Sequence, residues 1–256
     1  METQTTTTAA PSLGRPVDGR AAAGGGDGQP GDPLVAALRG VDTPTLANAI
    51  EKLAVRNRAT GFCSRAMRQL TPELGPMCGY AVSVQAVTMT SEPEPSRADA
   101  VERYLEVCEA LEASPKPAVV VFQETGPFPE YSAHIGEVLG TLFQRFGAIG
   151  VVSDGAVRDL REIRALRFQA FAPGTVASHA NFVIERVQVP VVVCGLTVYP
   201  GDLLHGDENG LIQVPVEGRD RLPELIERVQ RAERRVLDYL AGAEVTLDGV
   251  RQRLVH

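Results

Sequence analysis

A chain of 256 residues with 44% apolar side chains can build one substantial core, and a formal charge of −7 with a pI near 5.2 argues against a protein that holds nucleic acid through a basic face. All basic residues except Lys52 and Lys116 are arginine, and neither lysine has the apolar setting that Schiff-base chemistry needs. If this chain makes or breaks carbon–carbon bonds beside a carbonyl, a metal is the expected electron sink.

Residues 1–33 carry a threonine run, a glycine run and several prolines, with Met1, Leu13 and Val17 as the larger aliphatics. So little apolar surface predicts a disordered N-terminal tail without the hydrophobic stretch of a secretory signal, a transit peptide being the competing reading. No apolar run reaches the roughly 18 residues of a membrane-spanning helix, and a cytoplasmic protein with no membrane partner is the default expectation. The ordered domain is expected over 34–243, with 244–256 as a C-terminal extension.

DTPTLANAIEKLA reads as a helix with Asp42 or Thr43 as N-cap, Pro44 in its first turn and an apolar stripe of Leu46, Ala49, Ile50 and Leu53. YAVSVQAVTM suits a strand, SEPEPS breaks the pattern, residues 97–113 return to helical spacing, and AVVVF at 118–122 is a short strand apolar on both faces. Beyond residue 168 the chain reads as strands, with a hairpin signal at Asn209-Gly210, and then a helix from about Asp220 to Leu240 with one apolar face. This order fits an α/β or layered β/β/α domain better than a doubly wound sheet. Cys63, Cys78, Cys108 and Cys194 are widely spaced and are expected to be reduced and mostly buried.

Between Gly136 and Asp159 the chain reads GEVLGTLFQRFGAIGVVSDGAVRD. Gly136-Glu137 opens a helix with Val138, Leu139, Leu142, Phe143 and Phe146 as its buried stripe and Gly147 just past its end, so its first N–H groups suit a ligand carboxylate. Glu137 has a bland alternative, complementing the helix dipole. Asp159 and Glu162 have one too, a capping box for the helix LREIRAL, whereas Asp154-Gly155 reads as an ordinary turn. Arg158 is not explained by capping, and its planar fork suits a carboxylate. His134 reads as a structural hydrogen-bonder.

Glu137, twenty residues, Arg158-Asp159, two residues and Glu162, together with GEVLGT, VVSDGAVRD and PVVVCGLTVYPGDLLHGDENGLIQVP, resemble the family that joins RraA-like proteins with 4-hydroxy-4-methyl-2-oxoglutarate aldolases. The resemblance covers roughly residues 34–240. It implies a swivelling β/β/α domain of the RraA-like type with a C-terminal helix, assembled as a homotrimer or homohexamer. It further implies a divalent ion, Mg²⁺ or another such as Mn²⁺, and a small oxo-acid substrate. Asp159 would be the metal ligand, Arg158 would bind the keto or enolate oxygen, and Glu137 would position water. Gly136, Val138 and Leu139 would receive the substrate carboxylate. Glu137 departs from the aspartate common at that position, and a second acidic residue from a neighbouring subunit, Glu227 or Glu233 being candidates, is not placed by sequence.

The expected function is therefore a class II aldolase or decarboxylase acting on a pyruvyl-containing oxo acid, with oxaloacetate decarboxylation as a side activity. The alternatives are a non-enzymatic RraA-like regulator that binds a ribonuclease or helicase, and another lyase or hydratase on the same scaffold. The proline- and aromatic-rich stretch Gln123–His134 is where a different substrate would be specified.

Overall fold

The computed structural model describes residues 32–89 and 96–254. Helices α1 (Pro33–Leu38) and α2 (Thr43–Leu53) precede strands β1 (Arg68–Gln69) and β2 (Met77–Met89), helix α3 (Arg97–Ala113) and strand β3 (Ala118–Glu124). The segment richest in candidate site residues supplies β4 (Ala133–Ile135), α4 (Glu137–Arg145), β5 (Ala148–Ser153), β6 (Ala156–Val157) and α5 (Leu160–Ala165). Strands β7 (Gln169–Ala172), β8 (Gly174–Thr175), β9 (Asn181–Val187), β10 (Val191–Val193), β11 (Leu196–Val198), β12 (Leu203–Asp207) and β13 (Gly210–Val214) follow. Helices α6 (Leu222–Leu240) and α7 (Leu247–Leu254) close the chain.

The main sheet runs β1-β7-β5-β3-β2-β12-β13, with β9 as a further partner of β2. Its centre, β2-β3-β5-β7, is parallel, and its flanking pairs are antiparallel. One edge of β2 is shared, since its start pairs with β12 and its end with β9. Edge strand β1 approaches β13, so the sheet curls almost into a barrel.

Strand alternation sorts the core into layers. Val82, Val84, Val120 and Phe122 face the helix layer of Val107 and Leu111 from α3, Phe143 from α4 and Ile163 from α5. The intervening Ala81, Val119 and Val121 face the hairpin β10-β11 through Val191, Val193, Leu196 and Val198. The result is the expected β/β/α layering. A third cluster seats α1, α2 and α6 on the far part of the sheet, through Leu38, Leu46, Ile50, Leu222, Ile226 and Val229.

Local signals account for most boundaries. Asp42 caps α2 by accepting the Thr45 N–H at 2.9 Å, with Pro44 in the first turn. The Asn209-Gly210 hairpin joins β12 to β13. The cysteines are all free, with Cys63, Cys78 and Cys108 buried and Cys194 half-buried. Lys52 and Lys116 both lie on the surface.

The expected tail falls outside the described residues except for Asp32 and Pro33, which cap and open α1. The SEPEPS break likewise falls outside them except for Ser96, the N-cap of α3. In the C-terminal extension α7 turns back on α6, where the Tyr239 hydroxyl accepts the Thr246 N–H at 2.9 Å and the Arg253 guanidinium stacks 3.8 Å over the Tyr239 ring. The expected apolar face of α6 is buried only through Val229, and Leu237 and Leu240 stand exposed because the helix outruns the sheet it packs on.

Candidate functional site

A second sheet builds the site. Strands β4, β6 and β8 run parallel, with Ile135 opposite Val157. Parallel neighbours end on the same side, so Gly136-Glu137 after β4 and Arg158-Asp159 after β6 emerge next to each other despite their separation in sequence. The Arg158 N–H donates to the Ile135 carbonyl at 3.0 Å, which holds the two strand exits in register.

Asp159 then departs from the capping reading. Its backbone is left-handed, φ 53° and ψ 40°, and its side chain makes no cap bond to α5. Its Oδ2 instead accepts the Glu137 N–H at 3.0 Å, at the start of α4, and lies 3.6 Å from Arg158 Nε. The conformation costs of order 1 kcal/mol for a non-glycine residue. It turns the carboxylate away from its own helix and onto a neighbouring one, where the helix dipole favours negative charge. Asp159 Oδ1 makes no hydrogen bond among the described residues.

Gly136 makes this approach possible. A Cβ there would stand 2.5 Å from Asp159 Oδ2 and 3.0 Å from Arg158 Nε. Of the first N–H groups of α4, that of Glu137 is taken by Asp159 and that of Gly140 by Gly136, which leaves those of Val138 and Leu139 without an intrahelical partner. The Glu137 side chain is exposed and makes no ion pair among the described residues.

Gly136, Val138, Leu139 and Arg158 line a cavity of about 780 Å³ between α3, α4 and β9. The Glu137 and Asp159 side chains stand beside that lining and are not part of it. Val138 corrects its expected burial, since it is 79% exposed and forms part of the cavity wall while Phe143 carries the buried face of α4. Glu227 and Glu233 lie on α6, which packs on α2 away from this sheet; Glu227 pairs with Arg231, and Glu233 accepts from Asn48.

Behind the site lies a buried polar chain that sequence spacing did not show. His134 Nε2 is 2.9 Å from Glu124 Oε2, and His134 Nδ1 is 2.8 Å from Ser153 Oγ. Glu124 also accepts from the Thr88 N–H and hydroxyl and from the Gly126 N–H. Burial alone would raise the Glu124 carboxyl, but the bonds from His134, Thr88 and Gly126 outweigh it and hold the group down at about 2. The order of acid, histidine and serine matches a nucleophilic triad, yet all three side chains are sealed from solvent. Ser153 Oγ accepts the Gly155 N–H at 3.1 Å, so the chain fastens the turn before β6 and offers no nucleophile. His134 stacks on Phe122 and meets Phe182 edge-on, in keeping with its structural reading.

Asp154, in the same turn, is half-buried and accepts the Glu124 N–H at 2.7 Å. Burial pushes its carboxyl up to about 6, against the lowering effects of that N–H and of His134. Two acids of the later sequence block are also structural. Asp202 accepts the Tyr199 N–H, and Asp207 accepts the Thr43 N–H at the start of α2.

Comparison with known proteins agrees with this architecture. The family described as RraA-like, Aldolase/RraA, matches residues 43–213, which include the site sheet β4-β6-β8. A putative 4-hydroxy-4-methyl-2-oxoglutarate aldolase from Halalkalibacterium halodurans is 39% identical over 79 residues, which is 30% of this chain and 37% of the relative. A 4-hydroxy-4-methyl-2-oxoglutarate aldolase from Thermus thermophilus is 38% identical over 85 residues, which is 33% of this chain and 52% of the relative. The matched stretches thus span little more than half of those relatives at most. The crystal structure of Streptomyces coelicolor RraAS2, described as an unusual member of the RNase ES inhibitor RraA family, superposes with a TM-score of 0.58 at 24% identity. It covers 81% of this chain and 95% of its own, a likeness of fold.

Proposed function

The chain belongs to the RraA-like Aldolase/RraA family, and on that premise we propose that it is a divalent-metal-dependent carbon–carbon lyase acting on a pyruvyl-containing oxo acid. The observation that carries this reading is the Asp159 carboxylate, which abandons its own helix to sit between the Glu137 N–H and the Arg158 guanidinium. A capping residue has no reason to take a left-handed backbone for that purpose.

The donor set fits a hydrated magnesium-type ion. Such ions are held by one or two carboxylates, keep several waters and complete their shell with substrate oxygens. Asp159 offers an uncommitted oxygen and Glu137 an exposed carboxylate close by. No group of three or more His, Cys, Asp or Glu side chains gathers as a closed cage among the described residues. A bound ion supplies positive charge against the substrate oxygen that becomes anionic when the C–C bond breaks.

The protein's own groups divide the rest. The free N–H groups of Val138 and Leu139 hold the substrate carboxylate at the positive end of α4. Arg158 donates to the C2 keto oxygen and stabilises charge there as the C3–C4 electron pair moves onto it. The C4 hydroxyl loses its proton to become a carbonyl, and Glu137 orients the water that carries a proton back to C3, which releases pyruvate. In oxaloacetate the same electron movement releases carbon dioxide.

The test compares cleavage of 4-hydroxy-4-methyl-2-oxoglutarate and decarboxylation of oxaloacetate with Mg²⁺, with EDTA, and in Asp159→Ala. Metal-dependent turnover that falls about 100-fold or more in the variant is expected, as for loss of an electrostatic stabiliser. Turnover indifferent to EDTA would sink the mechanism. No turnover, together with tight binding to a ribonuclease or helicase, would establish the regulator instead.

A further inference from the structure

The cavity beside Arg158 is built for something larger and less charged than a short dicarboxylate. Its walls are Tyr104 and Leu105 from α3, Leu139 and Leu142 from α4, and Phe182 from β9. At about 780 Å³ it is the size of sites that enclose drug-sized ligands. Arg158 and Arg97 are the charged residues of its lining, His134, His179 and Asn181 add polar groups, and no carboxylate is among them. Arg158 is engaged at the strand exits, and Arg97 stands exposed on the first turn of α3.

A second or third anionic group seated against Leu105, Leu142 and Phe182, rather than at the exposed Arg97 or His179, would meet leucine and aromatic side chains, where an unpaired carboxylate is strongly disfavoured. An apolar group there gains free energy in proportion to the surface it buries. Tyr104 adds one polar contact. Its phenol is half-buried, burial raises its pKa, and its hydroxyl makes no hydrogen bond among the described residues, so it can donate to a ligand oxygen.

We infer that the substrate is a 4-hydroxy-2-oxo acid whose C4 carries a bulky apolar substituent, aryl or branched alkyl, seated against Leu105, Leu142 and Phe182 while its single carboxylate and keto oxygen meet α4 and Arg158. This rests on the lyase reading for the chemistry but on the cavity for the selectivity. For 4-hydroxy-4-phenyl-2-oxobutanoate the C3–C4 bond breaks, its electron pair moves onto the C2 carbonyl, the C4 hydroxyl proton is lost and a proton returns to C3. Pyruvate and benzaldehyde account for every atom, with no oxidant or co-reactant.

Binding and turnover are measured separately on the full chain. Calorimetry with phenylpyruvate and with 2-oxoglutarate, both in Mg²⁺, is expected to show the aryl acid binding at least about tenfold tighter, as for one well-buried ring face. Leu105→Asp, at a position already 41% exposed and so tolerant of change, is expected to cut the aryl-to-dicarboxylate affinity ratio at least about fivefold by weakening the aryl acid, and Leu105→Met to keep it. Equal or reversed affinities in the unaltered protein overturn the inference. So does a Leu105→Asp variant that changes the assembly mass in sedimentation without changing the affinity ratio, since the wall is then a contact between copies. Turnover of 4-hydroxy-4-phenyl-2-oxobutanoate against 4-hydroxy-4-methyl-2-oxoglutarate gives the second readout. A preference in binding with no turnover of either removes the lyase reading and keeps the selectivity, and turnover with a dicarboxylate preference does the reverse.

Discussion

Gly136→Ala isolates the approach between α4 and Asp159 from every other feature of the site. The Gly136 backbone, φ −140° and ψ −169°, is extended and open to any residue, so alanine meets no backbone strain. The whole effect comes from its Cβ, which would stand 2.5 Å from Asp159 Oδ2. Relief to ordinary contact moves the carboxylate about 1 Å. That stretches the 3.0 Å bond from the Glu137 N–H beyond hydrogen-bonding range. Because the Asp159 side chain is 36% exposed, water replaces the lost donor and stability falls by only about 1 kcal/mol, or roughly 3 °C in Tm. Catalysis should suffer far more, since a 1 Å misplacement of a reacting or ligating group costs about 100-fold. The assay is pyruvate release from 4-hydroxy-4-methyl-2-oxoglutarate in Mg²⁺, coupled to lactate dehydrogenase, beside a thermal melt. A variant whose kcat/KM stays within about twofold of the parent would show that Asp159 need not sit where it does, and the reasoning from geometry to role would fail.

Two further substitutions address the buried polar chain behind the site. Glu124→Gln leaves His134 and Thr88 facing a neutral amide in a sealed pocket, and urea melts at pH 7 should show a loss of about 3 kcal/mol. The Glu124 carboxyl is held below its ordinary value, so its contribution is complete above about pH 4.5 and drains away as pH falls toward about 2; the gap between parent and variant should close over that interval. Asp154 has the opposite sign. Burial raises its carboxyl to about 6, so the folded state is favoured by protonation, and stability is lost as pH rises from about 3.8 through 6. Asp154→Asn keeps an acceptor for the Glu124 N–H and should therefore melt higher than the parent at pH 7, with no difference near pH 3.5. A constant offset across that range would mean that burial does not raise the Asp154 carboxyl, because folded and unfolded states would then bind the same number of protons.

What could be read from the residues, and what could not, divides along one physical line. The convergence of Glu137, Arg158 and Asp159 was accessible because it depends on backbone order: a strand ending in Gly-Glu and a strand ending in Arg-Asp are brought together when β4 and β6 pair in parallel. The helices 43–53 and 97–113 and the Asn209-Gly210 hairpin were accessible for the same reason, since caps, periodicity and turn residues act within a few positions. The side-chain partners were not. Asp159 and Glu162 satisfy every local condition for a capping box, and the box does not form, because a left-handed backbone at Asp159 gives its carboxylate to a helix start 22 residues earlier. His134 finds Glu124 and Ser153 ten and nineteen residues away on adjoining strands, and no spacing rule says which polar side chain of a mixed strand turns inward. Asp207, within the block that carries the family resemblance, holds Thr43, far off in the chain. Gly136 was the one local trace of the hidden arrangement. A glycine in an extended conformation needs no glycine for its backbone, so its presence implies a neighbour close enough to forbid a Cβ, and that neighbour is the carboxylate on which the proposed chemistry depends.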